Sequence, residues 1–502
     1  MYLSKSKYCN GMKCPKILWL DKNMPEQYDQ SVDDESRFAI GNEVGDLAMA
    51  YFGDYTEVLY TGEFNEMITK TQELLEVETA IITEATFAYD GDLCMVDILR
   101  KVEGGYEIIE VKSSTNSTSA SLAKIKETYF DDMAYQTYIL TNCGLTITKV
   151  FLMQLNSDYV FQDKLVIAEL FVVTDCSEEV FAMQGAIAGN IKQIKSIVDN
   201  SNEPVCLIGS NCDKPYECGY KKWCFKALPE NNVFTIGWRM SGNMKDRLYQ
   251  ANTISFEDVF HSGVKLTDKQ FRQISSTLNN LPPEFDKEAI GEFLDQLKYP
   301  LYFLDFETFQ QVIPKYNGIK PYSQIPFQYS LHIQEKKDGP LQHKEFLAEA
   351  GADPRRAIAE SLCQDIPINS CILAYNMAFE KSCIKELAQQ FPDLKFHLMA
   401  LYDNFVDLAQ PFASGAYYTK AMAGSYSIKA VLPALCPDDP ELDYHNLSLI
   451  HNGSEAMEAY ATLHLQSPEV IEETRQALLA YCCLDTLAMV KILEKLYQCL
   501  SA

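Results

Sequence analysis

The stretch YFLDFETF, residues 302–309, places Asp305 and Glu307 at the end of an apolar run. In a β-strand, residues two apart point to the same face, so both carboxylates can face one metal ion while Phe306 is buried behind them. Near the C-terminus, YCCLDTLAM, residues 481–489, has a helical pattern in which Tyr481 and Asp485 lie on one face. Carboxylates gathered in this way suit Mg²⁺ or Mn²⁺. The two stretches therefore predict one metal site with phosphodiester chemistry.

A third stretch, CILAYNMAFEKSCIKELAQQF, residues 371–391, is a strand-like run followed by a helical pattern, with Asn376 and Glu380 at the junction. The order of the three stretches resembles that of the DEDD exonucleases of the DnaQ-like, ribonuclease H-fold class. The resemblance implies a tyrosine, Tyr481, that positions the attacking water. It implies four metal-binding carboxylates: Asp305, Glu307, Glu380 and Asp485. Glu380 stands where that family usually has Asp, which moves its carboxylate by about one carbon–carbon bond.

Four acids fit this chemistry because two cations roughly 3.5 to 4 Å apart can stabilise both the entering and the leaving oxygen of a phosphodiester. Taken alone, each motif is also compatible with a solvated strand end or an ordinary helix face. Their order, within about the length of one domain, favours a joint site. Asp407, in NFVDLAQPF, lies between the second and last motifs and is a candidate supporting acid.

The first half of the chain carries an independent pattern in DGDLCMVDILRKVEGGYEIIEVKSS, residues 90–114. Two β-rich runs around a Gly-Gly connection predict a β-hairpin, with Asp97 on the first strand and Glu110 and Lys112 on one face of the second. This pattern resembles the PD-(D/E)XK nuclease core. The resemblance implies that Asp97 and Glu110 bind metal and that Lys112 polarises water or the developing anion. A solvated hairpin edge is the alternative.

The next stretch, YFDDMAYQTYIL, residues 129–140, has a helical pattern that places Gln136 like the helix glutamine of RecB-like nucleases. Many of these enzymes carry a metal-binding His in an early helix. Here the corresponding segment is GNEVGDLA, which contains Glu43, and Gly45 stands at the His position.

Cysteine spacing supports the RecB-like resemblance. Sixteen cysteines without a signal peptide indicate a reducing compartment, and most of them lie in apolar runs typical of a core. Cys14 is followed much later by Cys212, Cys218 and Cys224, which are six positions apart in a polar, turn-rich segment. This arrangement resembles the iron–sulfur staple of AddB-type and CRISPR-associated RecB-family nucleases and implies a 4Fe-4S cluster. Zn²⁺ bound by the same thiolates is the alternative. Cys206 and Cys9 are possible substitutes, although VCLIG around Cys206 has the pattern of a buried segment and Cys9 lacks the CPKILWL context of Cys14.

The net charge of −27 argues against a protein that simply coats DNA, unless positive charge is gathered locally. Lysines are gathered beside the four cysteines, together with aromatic residues. This arrangement predicts a basic patch for single-stranded nucleic acid, with a solvated charged face as the alternative. Its candidate residues are Lys13, Lys16, Lys221 and Lys222.

The whole chain thus resembles a bacterial fusion family. The expected fold is α/β, with a restriction-endonuclease-like domain over 1–225, a helical linker over 226–298 and a ribonuclease H-like domain over 299–502. The expected protein is a cytoplasmic, metal-dependent nuclease acting in DNA repair or defence, most simply a 3'-5' exonuclease on DNA ends or single strands. The alternatives are an RNA exonuclease and a nucleic-acid-binding scaffold with an inactive RecB-like half. No uninterrupted apolar run predicts a membrane span.

Overall fold

The computed structural model describes residues 3–32, 35–119, 122, 125–437 and 439–501. The chain forms two compact units, and the predicted mixed α/β class is confirmed. Unit 1 comprises residues 1–227 and the segment 312–322. Unit 2 comprises residues 228–311 and 323–502. Part of the chain between the strands of unit 2 therefore belongs to unit 1, which the linear boundaries drawn from the sequence did not anticipate.

Unit 1 is built around a mixed seven-stranded β-sheet. Its strands are β1 Leu3–Ser4, β2 Thr56–Glu57, β3 Ile81–Tyr89, β4 Asp92–Val102, β5 Gly105–Asn116, β6 Ile147–Asn156 and β7 Phe171–Asp175. Its α-helices are α1 Lys5–Lys13, α2 Pro15–Asn23, α3 Glu35–Met49, α4 Phe64–Glu76, α5 Glu127–Asn142, α6 Ile167–Leu170, α7 Ser177–Val198 and α8 Lys221–Phe225.

The predicted hairpin of unit 1 is present as β4 and β5, which pair antiparallel from Ile98 opposite Ile109 to Val102 opposite Gly105. The turn is made by Glu103 and Gly104, and both Gly104 and Gly105, which begins β5, have positive φ. Strand order is β2-β3-β4-β5-β6-β7, and β1 pairs with the start of β4. Helices α1, α5 and α7 pack together beside this sheet. The hairpin and α5 therefore bring their polar residues to one place.

Unit 2 has a five-stranded sheet and a separate two-stranded ribbon. Its strands are β8 Glu284–Phe285, β9 Leu301–Gln310, β10 Gln324–Gln334, β11 Leu341–Leu347, β12 Cys371–Ala374, β13 Phe405–Asp407 and β14 Tyr417–Tyr418. Its α-helices are α9 Gly242–Gln250, α10 Phe256–His261, α11 Asp268–Leu278, α12 Lys287–Leu294, α13 Arg355–Asp365, α14 Ala378–Gln390, α15 Lys395–Asp403, α16 Gln410–Ser414, α17 Ile428–Leu435, α18 Gly453–Thr462 and α19 Pro468–Ser501.

The larger sheet of unit 2 has the order β11-β10-β9-β12-β13. Strand β10 pairs antiparallel with both β11 and β9. Strand β12 runs parallel to β9, and β13 runs parallel to β12. Helix α19 packs against β9 and β10. Strand β9 lies in the centre of the sheet and is almost completely buried, which explains its continuous apolar sequence.

Helix α19 is the one described helix whose length and composition would suit a membrane span. Its most apolar 18-residue window is 67% buried inside the structure. We therefore assign it as the core helix of unit 2, because a buried amphipathic surface explains the hydropathy without a membrane.

The segment that the sequence sets apart as a helical linker, residues 226–298, packs within unit 2 from residue 228 onward. The Gln273 side chain accepts a hydrogen bond from the backbone of Gly237 and donates one to the carbonyl of Ala423. Gly237 and Gly424 approach so closely that a Cβ on Gly237 would lie 2.1 Å from the Gly424 carbonyl oxygen. Glycine is required at this contact, and the segment is part of unit 2 rather than a free connector.

Candidate metal centres

Three elements of unit 2 bring the predicted acids together. Strand β9 carries Asp305 and Glu307 on one face, helix α14 carries Glu380 in its first turn, and helix α19 carries Asp485. All four side chains are largely buried, with Asp305 the most accessible of them. The carboxylates of Asp305 and Glu307 lie within 4.8 Å of each other and of the Cys482 thiol. The sequence motifs thus converge on one centre, the acid centre of unit 2.

Burial raises the pKa of every acid in this centre, and the charges of neighbouring acids raise those of Asp305 and Glu307 further. Burial, together with the charges of the neighbouring carboxylates, raises the pKa of Asp305 well above its ordinary value. Burial and the charge of Asp485 raise the pKa of Glu307 to about 8. Burial raises the pKa of Glu380 to about 8 and that of Asp485 to about 6. Four carboxylates held out of water with too little positive charge are poised to bind cations.

In the described part of the chain, one carboxylate oxygen of Glu380 lacks a partner that would offset its burial. Its Oε2 is buried and has no hydrogen-bond partner among the described residues. Buried polar atoms are nearly always paired, so an unpaired carboxylate oxygen indicates a missing ligand such as a metal ion. The Asp407 carboxylate accepts hydrogen bonds from the backbone N–H groups of Asn376 and Ala409, each at 2.9 Å. Asp407 therefore shapes the loop before Glu380 and also raises the pKa of Glu380 through its charge.

Two tyrosines and a lysine border the acid centre of unit 2. The Tyr444 hydroxyl donates a 2.5 Å hydrogen bond to Oδ1 of Asp485, and the hydroxyl of Tyr481 also hydrogen-bonds this carboxylate. The rings of Tyr444 and Tyr481 are 6.0 Å apart. Lys429, on α17, lies 5.9 Å from the centre of the Tyr481 ring, and its charge favours ionised Glu307 and Asp485. One exposed lysine thus faces four acids.

A second centre, the acid–lysine centre, lies in unit 1 and includes the predicted Asp97, Glu110, Lys112 and Gln136. Lys112 donates hydrogen bonds of 2.6 Å to Glu110 and 2.7 Å to Asp132. Gln136 donates to the same two carboxylates at 2.6 and 3.0 Å. The Asp97 carboxylate accepts a 2.7 Å hydrogen bond from the backbone N–H of Val111.

Lys5, in the first turn of α1, enters the acid–lysine centre from the N-terminus. Its ammonium group lies 3.0 Å from Glu110 and 3.7 Å from both Asp97 and Asp132. It therefore occupies the position between three carboxylates in which a metal ion would be expected. Two lysines offset three acids here, whereas the acid centre of unit 2 has no comparable compensation.

This compensation is visible in the pKa values of unit 1. Burial alone would raise the pKa of Glu110, but Lys112 and Lys5 hold it well below its ordinary value. Burial and the charge of Glu110 raise the pKa of Asp97 to about 6. The neighbouring Glu84, at a positive φ of 54°, has a pKa raised to about 7 by burial and by Asp97. Glu110 is thus the ionised anchor of the centre.

The early-helix residue Glu43 takes a different place. It lies on α3 as predicted, and its carboxylate is 3.9 Å from the Lys315 ammonium group. This pairing gives Glu43 a structural partner in the inserted segment 312–322 and leaves Lys5 as the group that enters the centre from the N-terminal region.

The predicted cysteines line one pocket of unit 1, the cysteine pocket, defined by Cys14, Cys206, Cys212, Cys218 and Cys224. Cys206, a substitute that the sequence offers, lines this pocket together with the four predicted cysteines. The sequence VCLIG suggests a buried strand, but this segment is irregular and exposes Val205 completely and Leu207 by 63%. A hydrogen bond with Cys14 lowers the pKa of Cys206 to about 6, so Cys206 favours the thiolate that binds metals.

The predicted basic patch is largely neutralised by acids. Lys16 lies 2.6 Å from Glu203, Lys222 lies 2.6 Å from Asp29, and Lys221 contacts both Asp213 and Glu217. Lys13 donates a hydrogen bond to the backbone carbonyl of Tyr216. These lysines surround the cysteine pocket, but three of the four are already paired, so they are weaker candidates for binding phosphate than their spacing in the sequence indicates.

Sequence reasoning missed several residues of these centres. Asp132 was detectable, because it lies four positions before Gln136 on the same helix face. Cys206, which the sequence offers as a substitute ligand, lies six positions before Cys212 and continues the spacing of the other three. By contrast, Lys5, Lys429 and Tyr444 reach their centres only through the tertiary fold, and no local pattern marks them.

Comparison with known proteins adds two findings. Residues 302–427 match a family model described as a domain of unknown function, DUF2779. The match includes Asp305, Glu307 and Glu380 and ends before Tyr481 and Asp485. A protein of Mycoplasma genitalium named "Uncharacterized protein MG366" is 28% identical over 215 residues. That similarity covers 39% of this chain and 32% of the relative, so the chain spans about a third of the relative's length.

Proposed function

We propose that this protein is a metal-dependent nuclease and that unit 2 removes nucleotides from the 3' ends of DNA. The observation that carries the proposal is the convergence of four buried acids from β9, α14 and α19, with an unpaired Glu380 oxygen and raised pKa values. The four carboxylates offer the oxygen donors that Mg²⁺ and Mn²⁺ prefer, and the neighbouring Cys482 thiol, whose pKa burial raises, remains protonated. Such ions, when bound, stabilise the charge that develops during phosphodiester hydrolysis.

The side chains around the acids have distinct roles in this proposal. Asp305, Glu307, Glu380 and Asp485 hold the ions. Tyr481 orients the attacking water, since its hydroxyl is at the carboxylate of Asp485. Tyr444 fixes the same carboxylate from the other side, and the ammonium group of Lys429 is placed to contact a substrate phosphate.

The test is cleavage of end-labelled single- and double-stranded DNA and RNA by the purified full chain with Mg²⁺ or Mn²⁺. We expect stepwise shortening from the 3' end of DNA that is abolished by EDTA. Asp305→Asn should lower the rate at least about 1,000-fold, because a neutral carboxamide would hold a divalent cation much more weakly than a carboxylate. Tyr481→Phe should retain more activity, since it removes only the group that orients water.

A matched control is Asp338→Asn, which changes an exposed acid of unit 2 and should cleave at the parental rate. Full activity of Asp305→Asn would refute the exonuclease assignment. If RNA is shortened and DNA is not, the assigned substrate changes to RNA, whereas the proposed metal site and the hydrolysis reaction stay the same.

For unit 1 we propose a RecB-like fold that binds the nucleic-acid strand or cleaves it at a second site. Lys5 is the observation that favours binding, because its ammonium group lies among Glu110, Asp97 and Asp132, where a metal-dependent enzyme would hold its ion. Residual cleavage by Asp305→Asn that disappears on adding Asp97→Asn would favour a second nuclease. Strand binding without residual cleavage would favour the scaffold role.

We further propose that the cysteine pocket holds a 4Fe-4S cluster. Thiolates are its usual ligands. Five cysteines line this pocket, and the lowered pKa of Cys206 makes it a candidate ligand beside Cys14, Cys212, Cys218 and Cys224. Zn²⁺ bound by four of these thiolates is the alternative.

Iron and zinc analysis of anaerobically purified protein tests this cofactor. We expect about four irons per chain, lost in Cys218→Ser and retained in Cys143→Ser, an exposed cysteine of the same unit. Cys206→Ser decides whether the fifth cysteine is a ligand. Zinc in place of iron would refute the cluster, and absence of both metals would refute the staple. All sixteen cysteines are free thiols, which supports the proposal of a reducing cytoplasm.

A further inference from the structure

Two histidines and a cysteine meet on the sheet of unit 2. His332 on β10 lies directly opposite His343 on β11, and Cys483 extends from α19. One ligand atom of each of these side chains lies within 4.8 Å of those of the other two. The imidazole rings are 4.5 Å apart with an interplanar angle of 35°. None of the acids of the neighbouring centre belongs to this group.

The two rings are held by hydroxyl groups through one nitrogen each. Nδ1 of His332 is 2.7 Å from the Thr486 hydroxyl, and Nε2 of His343 is 2.9 Å from the Ser330 hydroxyl. These two hydroxyls also contact each other at 2.7 Å. Metal-binding histidines usually use their second nitrogen in this way, because the bond fixes the ring and its tautomer. The remaining nitrogens are Nε2 of His332 and Nδ1 of His343.

The ligand set selects the metal. Imidazole nitrogen and thiolate sulfur suit a borderline-soft ion, and tetrahedral zinc is their commonest partner. Glu345 can complete the tetrahedron, since its Oε2 is 4.0 Å from Nδ1 of His343 and its charge also reaches Cys483. In a tetrahedral zinc site the ligand atoms lie about 3.3 to 3.8 Å apart. Side-chain rotations that move these ligand atoms by about 1 Å would therefore bring them to zinc-binding distances.

We propose that His332, His343 and Cys483 form a zinc site, with Glu345 as the fourth ligand. The bound ion links the edge strand β11 to β10 and to helix α19. Because α19 also carries Tyr481 and Asp485, the ion fixes the helix that supplies one side of the acid centre.

The test measures zinc directly and does not depend on nuclease activity. Chelator-stripped full-length protein is titrated with Zn²⁺ against a chromophoric chelator. Since the cysteine pocket of unit 1 also offers thiolates, the readout is the difference between variants. We expect His343→Ala and Cys483→Ser each to bind one zinc ion fewer than the parent, or to bind that ion at least about 100-fold more weakly.

Cys499→Ser is the matched control, because it changes a partly buried cysteine on the same helix and should bind zinc like the parent. A second measurement uses only the parent protein. Zinc should slow alkylation of Cys483, read by mass spectrometry of the peptide that contains it. Equal zinc binding in the parent, His343→Ala and Cys483→Ser would overturn the proposal and leave the group as a buried polar network. Unchanged alkylation of Cys483 in the presence of zinc would do the same.

Discussion

The two acidic centres of this protein differ in how the negative charge of their buried carboxylates is offset. In unit 1, three carboxylates lie within 3.7 Å of the Lys5 ammonium group, and Lys112 forms a second ion pair with two of them. In unit 2, burial raises the pKa of all four carboxylates, neighbouring acids raise those of Asp305 and Glu307 further, and the charge of Lys429 lowers only those of Glu307 and Asp485. Unit 1 supplies its own positive charges, whereas unit 2 leaves its buried acids largely uncompensated, which is the condition under which the proposed metal ions would bind.

This difference teaches that similar motifs do not imply similar metal dependence. A buried carboxylate is stable when paired and costly when left alone. Removing a lysine from unit 1 should therefore destabilise the protein, whereas removing an acid from unit 2 should relieve repulsion. The comparison is tested most directly by the free energy of unfolding, which should fall in the lysine variants of unit 1 and rise in the acid variants of unit 2.

The largest effect is expected for Lys112→Met. The hairpin position alone suggests a lysine that the fold can lose without cost, but Lys112 is paired with two buried carboxylates. Leaving them uncompensated should lower the free energy of unfolding by about 3 to 5 kcal/mol. Urea denaturation of the parent, Lys112→Met and the exposed control Lys70→Met measures this loss. If Lys112→Met loses less unfolding free energy than Lys70→Met, Lys5 alone is enough to offset the buried carboxylates of this centre.

The second effect is stabilisation by Mn²⁺. At a concentration about 100 times its dissociation constant, the ion should stabilise the parent by about 2.7 kcal/mol. Asp305→Asn should lose most of this gain and, in EDTA at neutral pH, should unfold at a higher temperature than the parent, because Asn has no carboxyl group that must be buried and protonated on folding. Calorimetry with and without Mn²⁺ measures both. The comparison fails if Asp97→Asn, rather than Asp305→Asn, removes the metal response.

The third effect concerns Tyr444→Phe. This change removes the 2.5 Å hydrogen bond to ionised Asp485, and bonds to charged groups contribute about 1.5 to 3 kcal/mol. We expect the metal-free protein to lose about 2 kcal/mol of unfolding free energy. Tyr249→Phe, in a helix outside the centre, is the control and should lose much less. Equal losses would mean that Tyr444 does not hold the carboxylate.

The smallest effect is expected for Lys5→Met. Removal of an ammonium group that lies among three carboxylates should raise the affinity of unit 1 for Mn²⁺ about tenfold, or about 1.4 kcal/mol. Isothermal titration in the Asp305→Asn background isolates unit 1. Unchanged affinity would mean that Lys5 does not compete with a cation and that the centre is purely structural.

The amino-acid sequence by itself determined the local geometry of both centres. Strand alternation placed Asp305 with Glu307 and Glu110 with Lys112, and helical spacing placed Tyr481 with Asp485. These pairs follow from backbone periodicities of two and 3.6 residues, which need no knowledge of the rest of the fold. The hairpin turn and the mixed α/β class followed from the same local signals.

Only the tertiary structure decided which charges balance one another. Lys5 reaches Glu110 across 105 positions of sequence, Tyr444 reaches Asp485 across 41, and His332 reaches Thr486 across 154. The irregular path of the segment around Cys206 and the assignment of 312–322 to unit 1 were likewise hidden. The physical reason is that electrostatic pairing depends on distance in space, and the chain topology that sets those distances arises from packing of the whole core.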